Sequence, residues 1–292
     1  MGLWGKAMSV ACALITGVTR GLGRTLAASF WDAGYSVHLI GRDLSALHES
    51  RNGLSVRFGQ TCTVTQCDLS LPLAVRALCE ALSKGDVHVD ALINNAAIQG
   101  PIGPAWSNDV ADWESAIQVN LLAPMAICRA LVPKMIAAGG GSIINLSGGG
   151  ATGPRANFSA YASAKAALVR FSETLALEAQ SFGVRVNCIA PGAMKTAMMN
   201  EVLAAGTAHA GVREMDLAAR VVAEGGSSMS RVAELALFLA SSASNGITGK
   251  LISAVWDDWE TWPQHLLELA TSDAYTLRRI VGRDRGFTWG DK

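Results

Sequence analysis

Tyr161 and Lys165 lie four residues apart in Ser159-Ala160-Tyr161-Ala162-Ser163-Ala164-Lys165-Ala166-Ala167-Leu168. This stretch of small residues reads as a helix, so the two side chains share one face. A phenol with an unperturbed pKa of about 10 is a poor acid–base at neutral pH, and a neighbouring ammonium favours its phenolate. A Tyr-x-x-x-Lys pair standing alone is equally an exposed helical pair. Its meaning depends on what the rest of the chain brings to it.

The N-terminal region supplies a second chemical feature. Val10 to Ile15 is a short apolar run of the kind that forms a strand buried on both faces. It leads into Thr16-Gly17-Val18-Thr19-Arg20-Gly21-Leu22-Gly23 and then a helical pattern over 24–33. Glycines at a strand-to-helix turn let backbone amides approach a pyrophosphate at the helix N-terminus. The glycines step by four and then two positions, which differs from the G-x-G-x-x-G fingerprint. A plain tight turn is the alternative.

Strand and helix patterns alternate along the whole chain. Expected strands are 10–15, 36–40, 62–66, 91–94, 142–146, 185–189 and 250–254, with helices between them that include 113–138, 159–182 and 231–239. This predicts an α/β fold, a Rossmann-type doubly wound parallel sheet of about seven strands with helices on both faces. No repeat or low-complexity linker divides it, so residues 1–292 are expected to form a single domain. Residues 194–229, helical but broken by Gly206, Gly211 and Gly225-Gly226, suit a mobile substrate lid. Residues 256–292 form a C-terminal extension that carries Trp256, Trp259, Trp262 and Trp289.

The composition fits an enzyme in a reducing compartment. Half of the 292 residues are hydrophobic and 16% are charged, enough apolar residues for a large core. Basic and acidic residues balance at 24 each with no basic tract, which argues against nucleic acid and anionic membrane as partners. The six cysteines show neither C-x-x-C nor metal spacing, so buried free thiols, no metal and a cytoplasmic location are expected. The first ten residues lack a signal-peptide pattern, and no uncharged apolar stretch is long enough to span a bilayer.

Together these residues resemble the short-chain dehydrogenase/reductase family over roughly residues 10–255. The motifs are the Gly-rich turn, Asp68 after the third strand, Asn94-Asn95-Ala96-Ala97 after the fourth, Asn120, Tyr161 with Lys165, and Pro191-Gly192 with Thr196. The resemblance implies that Tyr161 exchanges the substrate's hydroxyl proton. Lys165 would hold the nicotinamide ribose and lower the tyrosine pKa. Asn120 would bend its helix and hold a water linking Lys165 to solvent, or else simply satisfy a helix carbonyl. Gly17, Thr19, Arg20, Gly21, Leu22 and Gly23 would surround the pyrophosphate. Asp68, with Leu69, would receive the adenine amino group, or Asp68 would cap the next helix, or both. Asn95, Ala96 and Ala97 would line the adenine ribose, and Pro191, Gly192, Met194 and Thr196 the nicotinamide. A small-molecule carbonyl or alcohol substrate and a homodimer or homotetramer complete the implied picture.

Cofactor choice turns on the end of the second strand. Where NAD-preferring members carry an acidic residue, this chain has Gly41-Arg42, with Arg20 in the Gly-rich turn. Two guanidiniums suit a 2′-phosphate, so NADP(H) is favoured over NAD(H). Asp43 could be a displaced acidic residue, but its place before Leu44-Ser45-Ala46-Leu47 fits helix capping better.

The chain departs from the family at one catalytic position. A serine is expected thirteen residues before the tyrosine, and Gly148 stands there, with Ser147 one residue early. A one-residue shift on a strand turns a side chain to the other face. Either the glycines at 148–150 let the backbone bring Ser147 to the substrate oxygen, or a backbone amide of that run takes its place. A serine restored at 148 is then expected to recover the family geometry if the backbone tolerates it. The tail also departs from the family, and its aromatics would form core or subunit contacts or close over a polar ligand such as a sugar. Three functions follow: an NADP(H)-dependent oxidoreductase acting on a secondary alcohol or ketone, an epimerase or lyase on the same fold, or a cofactor-binding protein with weak or no catalysis.

Overall fold

The structure, a computed structural model, describes residues 10–289. The expectations for the first nine residues and the last three lie outside the described residues.

Apolar runs become the strands of one parallel sheet: β1 (Cys12–Thr16), β2 (Ser36–Gly41), β3 (Cys62–Gln66), β4 (Ala91–Asn94), β5 (Gly141–Leu146), β6 (Val184–Ala190) and β7 (Leu251–Ser253). Their spatial order is β3-β2-β1-β4-β5-β6-β7. The winding direction reverses between β1 and β4, paired through Ala13 with Ala91 and Ile15 with Ile93. In a doubly wound sheet this reversal opens a crevice at the carboxyl ends of those strands, where ligands bind.

The helices are α1 (Gly21–Asp32), α2 (Leu44–Asn52), α3 (Pro72–Lys84), α4 (Val110–Ile117), α5 (Ala123–Ala138), α6 (Ser159–Ala179), α7 (Ala197–Ala210), α8 (Val212–Glu224), α9 (Met229–Ala240) and α10 (Leu266–Thr271). Because strand side chains alternate between faces, the sheet feeds two cores. Ile15, Leu39, Ile93 and Ile144 pack with Leu26 and Phe30 of α1 and Leu235 of α9. Leu14, Ile40, Leu92 and Ile143 pack with Leu78 of α3, Ile127 of α5 and Ala176 of α6.

Three features differ from expectation or decide between alternatives. The helix expected over 113–138 is not continuous: α4 and α5 are joined by a π-helical turn, Gln118–Leu122. This helical run, Val110–Ala138, is long and apolar enough by composition to cross a membrane, although it is not uncharged, since it carries Asp112, Glu114, Arg129 and Lys134. In the fold, its Ile127, Leu131 and Met135 pack into the sheet's core. In the tail, Trp259 and Trp262 are core residues, only 3% and 4% exposed, whereas Trp256 is 86% exposed. The backbone at Tyr275 accepts from Leu251 N at 2.8 Å, so the tail lies along the edge strand β7.

Candidate active site

The Gly-rich turn is fastened to the end of β4. Asn95 Nδ2 donates to the carbonyls of Thr16 and Gly17 at 2.9 and 3.1 Å, and Thr16 Oγ1 accepts from the amides of Asn95 and Ala96 at 3.1 and 3.0 Å. Two of the glycines are required by space. A Cβ on Gly23 would fall 2.0 Å from the Gly17 oxygen, and one on Gly17, at φ 72°, would fall 2.7 Å from Ala96 Cα. No side chain caps α1, which leaves its first amides for an incoming anion. The Pro191–Thr196 loop faces this turn, with Thr196 Cγ2 3.8 Å from where a Cβ on Gly21 would lie. Such a cradle, which side chains would fill, fits a dinucleotide's pyrophosphate.

At the end of β2, Gly41 approaches Thr19, and Arg20 and Arg42 are both exposed. Asp43 caps α2, its Oδ1 accepting from Ala46 N at 3.0 Å. Asp68 does not cap a helix. Leu71 occupies the cap of α3, and Asp68 Oδ1 instead accepts from the Ser70 hydroxyl and amide at 2.7 and 2.9 Å. Those two bonds hold its carboxyl below the usual range, and the Arg42 charge adds to the effect. Leu69 is buried beside it, while Ala96 and Ala97 are half-buried at the end of β4.

Tyr161 and Lys165 both lie on the buried face of α6, 6% and 1% exposed. Lys165 Nζ is 5.7 Å from the centre of the Tyr161 ring and donates to the Leu146 carbonyl at 2.7 Å. Burial pushes the ammonium down to about 8. Burial also raises the phenol, and the charge that partly offsets this is the Arg155 guanidinium. Asn120 sits in the π-helical turn, fully buried. Its Nδ2 donates to the Ile98 carbonyl at 2.8 Å and its Oδ1 accepts from the Ile98 amide at 3.0 Å. Both ends of its amide are thereby used on the β4 loop.

Ser147 Oγ is buried and has no hydrogen-bond partner, so the structure does not join it to Tyr161. Gly148 is the residue in contact. A Cβ there would fall 2.2 Å from Tyr161 Oη and 3.0 Å from Cζ. A restored serine therefore does not fit beside the tyrosine as it stands. Gly148 has no positive φ, so the obstacle is the phenol and not the backbone.

Sequence patterns missed one participant. Arg155, from the loop before α6, places its Cζ 3.8 Å from the Phe158 ring centre and 5.8 Å from that of Tyr161. Its Nε and Nη2 donate to Glu214 Oε2 of α8 at 3.0 and 2.7 Å. The partners are separated by 59 positions and share no motif, so no spacing could reveal the pair.

Comparison with known proteins agrees with this arrangement. Residues 11–206 match the family model described as short chain dehydrogenase. Sulfoacetaldehyde reductase 2 of Chromohalobacter salexigens is 35% identical over 63% of this chain and 72% of its own length. The 3-oxoacyl-acyl-carrier-protein reductase of Chlamydia trachomatis is 31% identical over 82% of this chain and 94% of its own. A solved structure described as an NAD(P)-dependent gluconate 5-dehydrogenase from Beutenbergia cavernae, with bound NADP at low occupancy, superposes with a TM-score of 0.73. It is 28% identical and covers 85% of this chain and 96% of that one. A parallel sheet with a Gly-rich cradle at its switch point, a buried Tyr-x-x-x-Lys helix and these similarities lead to one conclusion: the chain is an oxidoreductase belonging to the short-chain dehydrogenase/reductase family.

Proposed function

We propose that this enzyme interconverts a secondary alcohol and a ketone with NADP(H). The observation that carries the reading is Tyr161 Oη, set against Gly148 at the end of β5 with Lys165 buried one turn further along α6. The cofactor supplies or accepts the hydride. Tyr161 Oη gives the proton to the substrate oxygen in reduction and takes it in oxidation. Lys165, its ammonium already lowered by burial, holds the nicotinamide ribose and carries charge to the phenol's side. Asn120 anchors the Ile98 backbone and, through its π-helical turn, supports a water path to Lys165.

For the substrate oxygen we assign Ser147. A buried hydroxyl without a partner is costly unless a ligand supplies one. Arg20 and Arg42 favour the 2′-phosphate of NADP(H), since Asp43 is engaged in capping α2. The cradle consists of Gly17, Thr19, Arg20, Gly21, Leu22 and Gly23. Asp68, Leu69, Asn95, Ala96 and Ala97 hold adenosine, and Pro191, Gly192, Met194 and Thr196 hold the nicotinamide.

Residues 194–229 serve as the lid, because Gly206, Gly211, Gly225 and Gly226 all take positive φ around α7 and α8. Exposed Leu122, Leu177 and Phe182 support a homodimer or homotetramer. Six unpaired thiols suit a cytoplasmic location. The test is NADPH absorbance against a panel of 3-oxoacyl thioesters, sulfonated aldehydes and sugar ketones. Substrate-dependent loss of NADPH is expected. Loss seen only with NADH would contradict the cofactor assignment, and loss with no carbonyl compound would contradict the activity.

A further inference from the structure

The Arg155–Glu214 ion pair is nearly sealed from water, with side chains 12% and 14% exposed. It joins the loop before α6 to the helix that follows Gly211. Phe158, beneath the guanidinium, packs with Val202 and Ala210 of α7 and Ala218 of α8, so the pair forms only while this segment is docked. Tyr161 is thus flanked by two cations at nearly equal range, Lys165 Nζ at 5.7 Å and Arg155 Cζ at 5.8 Å from its ring centre. Lys165 is committed to the Leu146 carbonyl. Arg155 is paired with Glu214, and a carboxylate at 2.7 Å offsets part of the field its partner projects onto the phenol.

We propose that Glu214 is a positioning residue which, by pairing with or releasing Arg155, couples docking of the α7–α8 segment to how readily Tyr161 gives up its proton. With the pair made, the Arg155 charge favours the phenolate only in part, because Glu214 offsets it. With Glu214 withdrawn, the Arg155 charge favours it in full. The charged and titratable groups involved are Lys165 of α6, Arg155 of the preceding loop and Glu214 of α8. Cys188 of β6 and Glu173 of α6 act one step further away, through Lys165 and Cys188. The proposal rests on the reading of Tyr161 as the acid–base.

The chain has only three tyrosines, Tyr35, Tyr161 and Tyr275, so phenolate absorbance can be titrated in the full-length protein without a substrate. Subtracting the same titration of Tyr161→Phe isolates Tyr161, with far-UV circular dichroism confirming that each variant is folded. Glu214→Gln should lower the Tyr161 midpoint by about one pH unit, the lower end of what a nearby opposite charge does. Arg155→Met should move it the other way. The double variant Arg155→Met/Glu214→Gln should bring the midpoint back to or above the wild-type value. Arg155→Lys, which keeps the charge, should stay near wild type. A purely structural pair would leave the midpoint unmoved or shift it in the same direction in both single variants, and either result overturns the proposal. Full turnover in Tyr161→Phe would instead overturn the acid–base reading and leave this titration unaffected.

Discussion

A Cβ atom on Gly148 would fall 2.2 Å from the hydroxyl oxygen of Tyr161, so the glycine that replaces the expected serine is also what admits the phenol. Gly148→Ser should therefore push the tyrosine aside and lower kcat, by about 10²-fold if the hydroxyl moves by about 1 Å. Steady-state turnover of this variant, with its folding checked by thermal melting, decides the point. A gain in kcat would show that the phenol yields easily.

Ser147→Ala separates stability from catalysis. The hydroxyl bonds nothing in the protein, so its loss should leave the unfolding free energy unchanged or raise it by about 1 kcal/mol. If Ser147 holds the substrate oxygen, kcat should fall by about 10²–10³, as when an oxyanion donor is removed. Unchanged turnover would assign that role to backbone amides of the glycine run.

Arg42→Asp tests the cofactor preference. It should weaken NADPH binding by about 1.5–3 kcal/mol, the value of a hydrogen bond to a charged group, while sparing NADH. Titration of each cofactor by fluorescence gives both affinities. A wild type that already binds NADH more tightly would refute the assignment.

The buried ammonium makes a prediction for pH. Lys165 titrates at about 8 in the fold against 10.5 ordinarily, so between these values the unfolded chain binds more protons. Its contribution to stability therefore rises with pH across that window, by on the order of 3 kcal/mol. The buried thiols act in the opposite sense. Burial raises Cys12 to about 11 and Cys188 to about 12, which favours unfolding as pH rises above the usual thiol range. The measurement is thus the unfolding free energy of wild type minus that of Lys165→Met at pH 8 and pH 10. A flat difference would count against a buried, depressed lysine.

What the sequence revealed, and what it hid, follows from how local each signal is. Strands β3 and β4 appear at their expected bounds because short β-rich runs between turn signals need no tertiary information. Gly206, Gly211 and Gly225 mark breaks that their positive φ confirms. The bend at Asn120 was expected only through the family resemblance, and its π-helical form was not visible, because it goes with a side chain reaching the Ile98 backbone across the fold. Core contact was one of the readings of the tail aromatics, and Trp259 and Trp262 take it; which tryptophans are buried depends on distant partners such as Arg231 of α9, 4.4 Å over the Trp259 ring. Arg155 and Glu214 were hidden for the same reason: a long-range ion pair has no period and no motif.

The central claim is that Tyr161 is the acid–base, and Tyr161→Phe tests it most directly. With a substrate from the NADPH screen, kcat should fall by about 10²–10⁴, the usual contribution of a positioned proton donor, while the Kd for NADPH stays within about threefold of wild type. Near-normal kcat in a folded Tyr161→Phe enzyme would contradict the account.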